Sequence, residues 1–344
     1  MKVLISVCIP VYNTEQYLLQ CLRSVIRQGF ADFEIVIVSD ASRGKDEKGR
    51  SAKKIVRLAQ KEFNDFRKSK KLPKISIRFI EHRENRGILE VRRTLCYEAG
   101  GTYICFVDSD DELEQGALLS LVEPLNKNKE QMDYDIIQGK STSGIFDQDG
   151  KFIPSKNNRY NKITIGNLSN HEIFHEWVTN GNISGVLWGK LVKKTLFQAA
   201  FDNIPYSECN MAEDYLISFF VTQLARLYTG IDSNVYRYRM TSGVSSTRKI
   251  DTLQKWSMIC STANVFTVIS EWLKEKAGKS EITPEEILHI RRQTSVYLAD
   301  NLRQLQYTVI PQLKSQARQL LCDYWGQHFV ETIELELSQE SVIK

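Results

Sequence analysis

The stretch FVDSDD, residues 106–111, ends a hydrophobic run with three carboxylates in four positions. The run that leads into it, YICFV at 103–107, has the continuous hydrophobicity of a strand buried on both faces. Residues i and i+2 of an extended segment point the same way, so Asp108 and Asp110 can converge on one point. Mg2+ and Mn2+ prefer such oxygen ligands, and the stretch therefore predicts a divalent-metal site at the end of a strand. An acidic turn that caps the next helix is the alternative.

Strand and helix signals alternate on either side of this stretch. Continuous apolar runs predict strands at residues 3–9, 33–38, 75–80 and 103–107. Helical periodicity falls between them, and Asn13 is placed to cap the first helix. This alternation predicts an α/β fold with a doubly wound, mostly parallel sheet and flanking helices. Because ligands of such sheets bind beyond the carboxyl ends of the strands, Tyr12, Asp40 and Asp108 become candidate site residues.

Beyond the acidic stretch the pattern is less regular. Residues 141–161 are rich in Ser, Asp, Gly, Asn and Lys and predict a mobile loop. Residues 235–239 alternate like an exposed edge strand. Three helical segments are predicted after residue 245, at 251–276, 284–306 and 311–329. The second of them has Thr283 and Glu286 in the positions of a capping box.

Composition narrows the class of protein. The 344 residues suggest one large domain with an appended one, and a net charge of +4 is too small to indicate nucleic acid as a partner. The seven cysteines lie far apart without a CxxC pair, as expected of reduced thiols in a cytoplasmic protein. No apolar run reaches the roughly 18 residues that span a bilayer, so any membrane contact is expected to be peripheral, at the inner face.

Seven short motifs follow one another in a fixed order. They are VCIPVYN at 7–13, VSDAS at 38–42, NRG at 85–87, AGGTYI at 99–104, DSDD at 108–111, LWGKL at 187–191 and AEDY at 212–215. In this order they resemble the family-two inverting glycosyltransferases with a GT-A fold, over roughly residues 1 to 240. The resemblance implies a GT-A catalytic domain at 1–245, with a nucleotide-binding half at 1–111 and an acceptor half at 112–245. The helical region at 246–344 lies outside it.

The resemblance also implies roles for single residues. Those expected at the nucleotide-sugar donor are Pro10, Val11, Tyr12, Asp40, Gly87, Arg92, Asp108 and Ser109. Tyr12 would offer its ring for stacking, and Asp40 would accept a pyrimidine N–H, which favours a UDP-sugar. Asp108 and Asp110 would hold Mn2+ or Mg2+ beside the diphosphate, Asp110 as the direct ligand. A solvated helix face is the alternative for Arg92, and a plain turn former for Asp40.

The acceptor side is assigned in the same way. Asp214 would be the base that deprotonates the acceptor hydroxyl, with Glu213 as second choice. A carboxylate in the first turn of a helix is kept ionised by the helix dipole, which suits a base and equally suits a simple cap. Trp188 and Lys190 would contact the acceptor, a saccharide or lipid-linked sugar. A tryptophan buried between sheet and helices is the alternative for Trp188. The resemblance also implies that the segment at 236–239 closes over the phosphates, with a plain amphipathic edge strand as the alternative.

Two other functions are weighed against glycosyl transfer. A nucleotidyltransferase that makes the activated sugar would carry a Gly-rich phosphate loop after the first strand, and residues 10–14 (PVYNT) contain no glycine. A non-catalytic nucleotide-sugar-binding protein would have lost the acidic residues, which are present. The apolar and basic stripes of residues 246–344 predict packing within the protein, association with a second copy, or contact with an anionic membrane. Polysaccharide or glycolipid synthesis is the expected setting.

Overall fold

The computed structural model of the chain describes residues 3–72, 74–127, 132–148, 150–241, 249–276 and 281–342. The chain divides into two compact units. The first comprises Met1–Asn203 and Ile217–Ser245, and the second comprises Ile204–Leu216 and Ser246–Lys344. The sequence assigned residues 204–216 to the catalytic domain, whereas the structure groups them with the C-terminal helices. The predicted boundary at residue 245 lies outside the described residues.

The first unit is built on one sheet, which has ten strands within the described residues. The strands are β1 (Ile5–Val11), β2 (Phe33–Ser39), β3 (Ile77–Glu81), β4 (Tyr103–Phe106), β5 (Glu112–Leu113), β6 (Ile136–Phe146), β7 (Phe152–Pro154), β8 (Gly166–Ser169), β9 (Lys190–Lys193) and β10 (Leu227–Arg239). The helices between them are α1 (Glu15–Ile26), α2 (Ala52–Ser69), α3 (Ile88–Glu98), α4 (Ala117–Lys127), α5 (His171–Val178), α6 (Lys194–Asp202) and α7 (Glu213–Leu224), of which the first four residues of α7 belong to the second unit. The strand order is β3-β2-β1-β4-β9-β6-β10-β5, with β7 beside β6 and β8 beside β10.

The first four strands confirm the predicted doubly wound α/β pattern. All residues of β1 and β2 are buried, and these strands pair in parallel with each other and with β3 and β4. Helices cover both faces of such strands, which explains why their sequences are continuously apolar. The predicted cap of α1 is wrong: Thr14 occupies that position, while Asn13 has φ 56° and its Oδ1 accepts a hydrogen bond from the Gly44 amide at 3.0 Å.

The predicted mobile loop at 141–161 is wrong in its first part. Residues up to Phe146 continue β6, and Phe152–Pro154 forms β7, antiparallel to it. Ser141 and Ser143 are buried in this strand in spite of their polarity. They are satisfied locally, since the Ser143 hydroxyl bonds to Asn158 Oδ1 at 2.8 Å and the Ser141 amide donates to Asn161 Oδ1 at 2.9 Å.

The predicted exposed edge strand at 235–239 is also wrong. These residues end the 13-residue strand β10, which pairs in parallel with β6 on one side and antiparallel with β5 and β8 on the other. Val235 and Tyr236 are fully buried, and Arg239 is 6% exposed. Tyr236 and Arg239 are therefore buried side chains of an interior strand, near the carboxyl end of β4, whereas Arg237 and Tyr238 are half-buried.

The second unit has its own hydrophobic core. Its helices are α8 (Leu253–Cys260), α9 (Thr262–Glu275), α10 (Pro284–Tyr307), a 3-10 turn (Pro311–Leu313), α11 (Lys314–Trp325) and α12 (Gln327–Val342). The capping box of Thr283 and Glu286 is present at the start of α10 as predicted. Trp256 is fully buried and its Nε1 donates to the Ala317 carbonyl at 2.7 Å. The apolar stripes of this region thus pack within the unit. Each helix in the described part of the chain is too short or too polar to span a bilayer.

Candidate functional site

The acidic stretch forms a tight turn at the carboxyl end of β4. The Asp111 amide donates to the Asp108 carbonyl at 3.0 Å, which closes the turn. Ser109 is 3% exposed and its hydroxyl lies 2.7 Å from that of Thr14, at the start of α1. The turn is thereby tied to the segment that follows β1. It lies at the carboxyl edge of parallel strands, where ligands of doubly wound sheets bind.

Arg92 of α3 reaches this turn. Its Nη2 lies 3.1 Å from Asp108 Oδ1, and its guanidinium stands 5.2 Å from the ring centroid of Phe106. The residue is 4% exposed, so the alternative of a solvated helix face is wrong. The buried guanidinium therefore offsets the charge of the Asp108 carboxylate and orients it at the end of β4.

Asp111 differs from its neighbours because it is buried and fully engaged. Its Oδ2 accepts a hydrogen bond from the Tyr236 hydroxyl at 2.8 Å, and its Oδ1 accepts one from the Arg239 amide at 2.7 Å. Burial, and then the charges of Asp110 and Asp108, raise the pKa of Asp111 well above its ordinary value. Asp111 therefore shapes the turn from within and is not a candidate ligand.

Asp108 and Asp110 are the carboxylates that could hold a cation. The Asp108 side chain is 26% exposed, and Asp110 is half-buried. No group of three or more metal-ligating side chains is gathered in the described residues. Mg2+ and Mn2+ sites of nucleotide enzymes are commonly completed by one or two carboxylates with substrate phosphates and water, so a pair of hard oxygen ligands fits such an ion.

Asp40 holds together the turn that follows β2 and the residues that precede α3. It is 2% exposed, and its carboxylate accepts the amides of Arg86 (2.9 Å) and Gly87 (2.9 Å). The ring of His82 lies 2.7 Å from the same carboxylate and 3.1 Å from the Thr94 hydroxyl. Gly87, with φ 83°, takes a conformation that other residues rarely adopt, and it opens α3 immediately afterwards.

The segment after β1 presents one exposed ring. Pro10 and Val11 are buried in β1, whereas Tyr12 is 46% exposed and is the residue of this segment able to stack on a base. Behind it the Asn13 amide donates to the Ser42 hydroxyl at 2.7 Å, and that hydroxyl donates to Glu15 Oε1 at 2.6 Å. The loops after β1 and β2 are thus joined by hydrogen bonds.

Trp188 and Lys190 do not have the exposure that acceptor contacts require. Trp188 is 6% exposed and stacks on Tyr236, with ring centroids 4.5 Å apart and planes inclined by 7°. Its position agrees with the alternative of a buried tryptophan. Lys190 is 5% exposed, and its ammonium donates to the carbonyls of Ser184 and Val186, so it ties a loop of the main chain together.

Asp214 and Glu213 open helix α7, as predicted. Asp214 is half-buried, and its Oδ1 accepts the Tyr215 amide at 2.8 Å. Glu213 is 8% exposed. Unpaired amides at a helix N-terminus stabilise an ionised carboxylate, and of the two residues Asp214 is the more accessible.

The sequence model of the family described as Glycosyl transferase family 2 matches residues 6–181, about half of the chain. The chain belongs to this family. The match contains β1 to β4, the acidic turn, Arg92 and the Asp40 turn, and it confirms the predicted glycosyltransferase class and α/β fold of GT-A type.

The individual proteins described next are 18–30% identical to this family 2 chain. Glycosyltransferase GlyA of Streptococcus pneumoniae serotype 4 (strain ATCC BAA-334 / TIGR4) is 30% identical over 240 residues, which are 70% of this chain but 31% of GlyA. The Escherichia coli protein named UDP-Glc:alpha-D-GlcNAc-diphosphoundecaprenol beta-1,3-glucosyltransferase WfgD is 24% identical over 270 residues, 69% of this chain and 97% of WfgD. The crystal structure of S. aureus TarS 1-349 in complex with UDP-GlcNAc has a TM-score of 0.50 at 18% identity, over 97% of this chain and 92% of that one, and shares the fold.

Sequence reasoning missed His82, and it left two roles open for Tyr236 and Arg239, closure over phosphates and a plain edge strand. His82 contacts Asp40, while Tyr236 and Arg239 contact the acidic turn. None belongs to the acidic or glycine motifs, and Tyr236 lies 125 residues from Asp111 in the chain. Polar side chains buried near a strand end would have indicated these residues, but the sequence did not predict that β10 is buried.

Proposed function

We propose that the chain is an inverting glycosyltransferase that moves a sugar from a UDP-sugar to an acceptor hydroxyl. The observation that carries the proposal is the acidic turn of a family 2 domain, placed at the carboxyl end of β4 with Arg92 paired to Asp108. Carboxylates and a buried guanidinium at one strand edge suit a nucleoside diphosphate, which brings both phosphate charge and a cation.

The nucleoside half of the donor would bind at the ends of β1 and β2. Tyr12 has the exposed ring for base stacking. Asp40 already accepts hydrogen bonds from two backbone amides and faces His82, so its contribution to donor binding is the shape of the turn at Arg86 and Gly87 together with any pyrimidine N–H it accepts. The contacts with Arg86, Gly87 and His82 already occupy about the four acceptor positions of a carboxylate, so a pyrimidine N–H would have to replace one of them.

Asp110 and Asp108 would hold a divalent cation, Mn2+ or Mg2+. Such an ion, when bound, neutralises the charge that develops on the departing diphosphate. The Asp108 carboxylate is oriented by Arg92 at 3.1 Å, and the main chain at Asp110 is held by Arg239 Nε, which donates to its carbonyl at 2.8 Å. The turn is therefore ordered before the donor arrives, which lowers the cost of binding.

Asp214 would take the proton from the acceptor hydroxyl as that oxygen attacks the anomeric carbon. The start of α7 favours its ionised form, which a base requires. Direct displacement inverts the anomeric centre and needs no covalent enzyme intermediate. Glu213 is the less suitable base because it is buried.

The acceptor is proposed to be a saccharide or lipid-linked sugar in polysaccharide or glycolipid synthesis. Support comes from WfgD, whose name specifies a UDP-glucose donor and a diphosphoundecaprenol-linked acceptor, and from TarS, whose structure contains UDP-GlcNAc. We expect a cytoplasmic protein that meets such an acceptor at the inner face of the membrane, and residues 246–344 are the region proposed for that contact or for pairing with a second copy.

The test is nucleoside diphosphate release from a panel of UDP-, GDP- and dTDP-sugars with Mn2+, with and without simple saccharide acceptors. Release from one UDP-sugar supports the proposal and identifies the donor. Pyrophosphate release from UTP with a sugar 1-phosphate would support the nucleotidyltransferase, and binding of nucleotide sugars with no turnover under any acceptor would support a non-catalytic binding protein. Asp214→Asn should lower turnover by at least about 100-fold and leave donor affinity within about twofold.

A further inference from the structure

Strand β10 holds the acidic turn from outside the turn's own segment. The Tyr236 hydroxyl accepts a hydrogen bond from the Asp108 amide at 3.0 Å and donates one to Asp111 Oδ2 at 2.8 Å. A phenol has one proton, and the Asp108 amide can only be received by an oxygen lone pair. The proton of Tyr236 is therefore directed to Asp111, and one hydroxyl bridges the first and last residues of the turn.

Arg239, three residues further along β10, supplies two more contacts. Its amide donates to Asp111 Oδ1 at 2.7 Å, and its Nε donates to the Asp110 carbonyl at 2.8 Å. Both oxygens of Asp111 thus face donors from β10. The main chain of the turn is thus held at Asp108 and Asp110 and the side chain at Asp111, which sets the points from which the side chains of the two candidate metal ligands leave the backbone.

The hydroxyl of Tyr236 is itself held in place by packing. Its ring is fully buried and lies parallel to the indole of Trp188 at 4.5 Å. The buried indole of Trp188 thus supports the ring of Tyr236, whose hydroxyl contacts the turn.

We infer that Tyr236 is a positioning residue of the glycosyltransferase site: its hydroxyl sets the orientation in which Asp108 and Asp110 meet a divalent cation and the diphosphate of the donor. The inference rests on the proposed function for the identity of the ligand. The contacts of Tyr236 with the turn stand independently of it. Groups that orient metal ligands without touching the metal change metal affinity or activity by about 10- to 100-fold when removed.

The test compares Tyr236→Phe with Tyr103→Phe in the full chain. Both replacements keep a buried ring in the same sheet and remove one hydroxyl, and Tyr103, at the opposite end of β4, donates to the Tyr134 carbonyl at 2.7 Å. Amide exchange over residues 107–112 measures the hydrogen bond of the Asp108 amide. Binding of Mn2+ in the presence of UDP is followed from the loss of the free-ion EPR signal, and the thermal midpoint is recorded for each variant.

Tyr236→Phe should speed exchange over residues 107–112 and weaken Mn2+ binding by about 10- to 100-fold, whereas Tyr103→Phe should leave both at the wild-type values. Asp111→Asn should weaken Mn2+ binding as well, and the double variant with Tyr236→Phe should be no worse than the poorer single variant, because both changes break the same bridge.

Wild-type exchange and Mn2+ affinity in Tyr236→Phe would overturn the inference. Equal losses of Mn2+ affinity in Tyr236→Phe and Tyr103→Phe would also overturn it, because a general loss of stability would then explain both. If the wild-type protein bound no Mn2+ with UDP, the proposed function would fail instead, and the exchange measurement alone would decide whether β10 holds the turn.

Discussion

Replacing Asp40 separates its structural contacts from any contact with the donor. In Asp40→Asn the side-chain oxygen can face the Arg86 and Gly87 amides, which lie 3.0 and 2.9 Å from Oδ2. The amide nitrogen then faces His82 Nδ1, which can accept a hydrogen bond when His82 carries its proton on Nε2 and donates to the Thr94 hydroxyl 3.1 Å away. The Thr94 hydroxyl in turn donates to the Glu90 carbonyl at 2.9 Å. Each partner of the network therefore keeps one hydrogen bond, while the second contact of the Arg86 amide, with Oδ1 at 2.9 Å, is lost.

The loss of unfolding free energy in each variant depends on the hydrogen bonds that remain after the substitution. Hydrogen bonds to a charged acceptor contribute about 1.5–3 kcal/mol and neutral ones about 0.5–1.5 kcal/mol, so three weakened bonds in Asp40→Asn should cost about 3 kcal/mol. Asp40→Ala removes all of these bonds and leaves the Arg86 and Gly87 amides without their buried acceptor, which should cost at least about 5 kcal/mol. Urea unfolding followed by tryptophan fluorescence measures both variants.

Asp40→Asn also tests base recognition. Its amide oxygen would be committed to the turn, so UDP affinity should fall about tenfold if Asp40 also accepts a pyrimidine N–H, while the fold is retained. Equal destabilisation by Asn and Ala would refute the hydrogen-bond network described for the turn. Wild-type UDP affinity in Asp40→Asn would refute the contact with the base.

Two further changes test the packing at the two ends of β4. Gly101→Ala would place its Cβ 2.6 Å from the Ser6 amide nitrogen and should lower the unfolding free energy by at least about 3 kcal/mol. Gly100→Ala is the control, because its Cβ meets a side-chain oxygen at 3.0 Å, and the thermal midpoint should fall by only a few degrees. Arg92→Met keeps an unbranched chain against the β4 core but leaves Asp108 unpaired. Because Asp108 is 26% exposed, stability should fall by only about 1–2 kcal/mol, while donor turnover falls at least tenfold; loss of stability without loss of turnover would contradict a role for Arg92 at the diphosphate.

The parts of the fold that the sequence predicted are those with strong local signals. β1, β2 and β4 are short apolar runs ended by polar residues, and the capping box at Thr283 begins α10 as predicted. Such patterns reflect burial and backbone geometry within one segment. Strand ends were displaced by about two residues, as for β1, which begins at Ile5.

The parts that were missed depend on contacts between distant segments. The buried serines of β6 read as a loop because their partners, Asn158 and Asn161, are polar residues that fold back on them. The alternating residues of β10 resembled an edge strand because the neighbouring strands β5 and β6 are separated from it by about 100 residues. The sequence also left two interpretations open for Trp188. A tryptophan in a glycine-flanked loop can stack on a ligand or pack in the core, and the sequence pattern is the same in both cases.

The sequence indicated where the motif residues lie, but it did not predict their hydrogen-bond partners. Asp40 and Asp108 lie after β2 and β4 as predicted, yet each is also held by partners that no motif announces. Lys190 is similar, because its ammonium is consumed by two carbonyls of its own loop. A single sequence indicates which residue types occur at strand ends, whereas burial and hydrogen-bond partners depend on the complete fold.

The most direct test of metal-dependent transfer is Mn2+-dependent UDP release from the donor identified in the panel, compared among the wild type, Asp110→Asn and Asp232→Asn. Asp232 is a matched control, since its side chain is 71% exposed and pairs with Lys140 at the surface. The account predicts that chelator stops release by the wild type, that Asp110→Asn lowers it by at least about 100-fold, and that Asp232→Asn retains wild-type release. Release that survives both the chelator and the Asp110→Asn change would contradict the assignment of the acidic turn as the centre of the reaction.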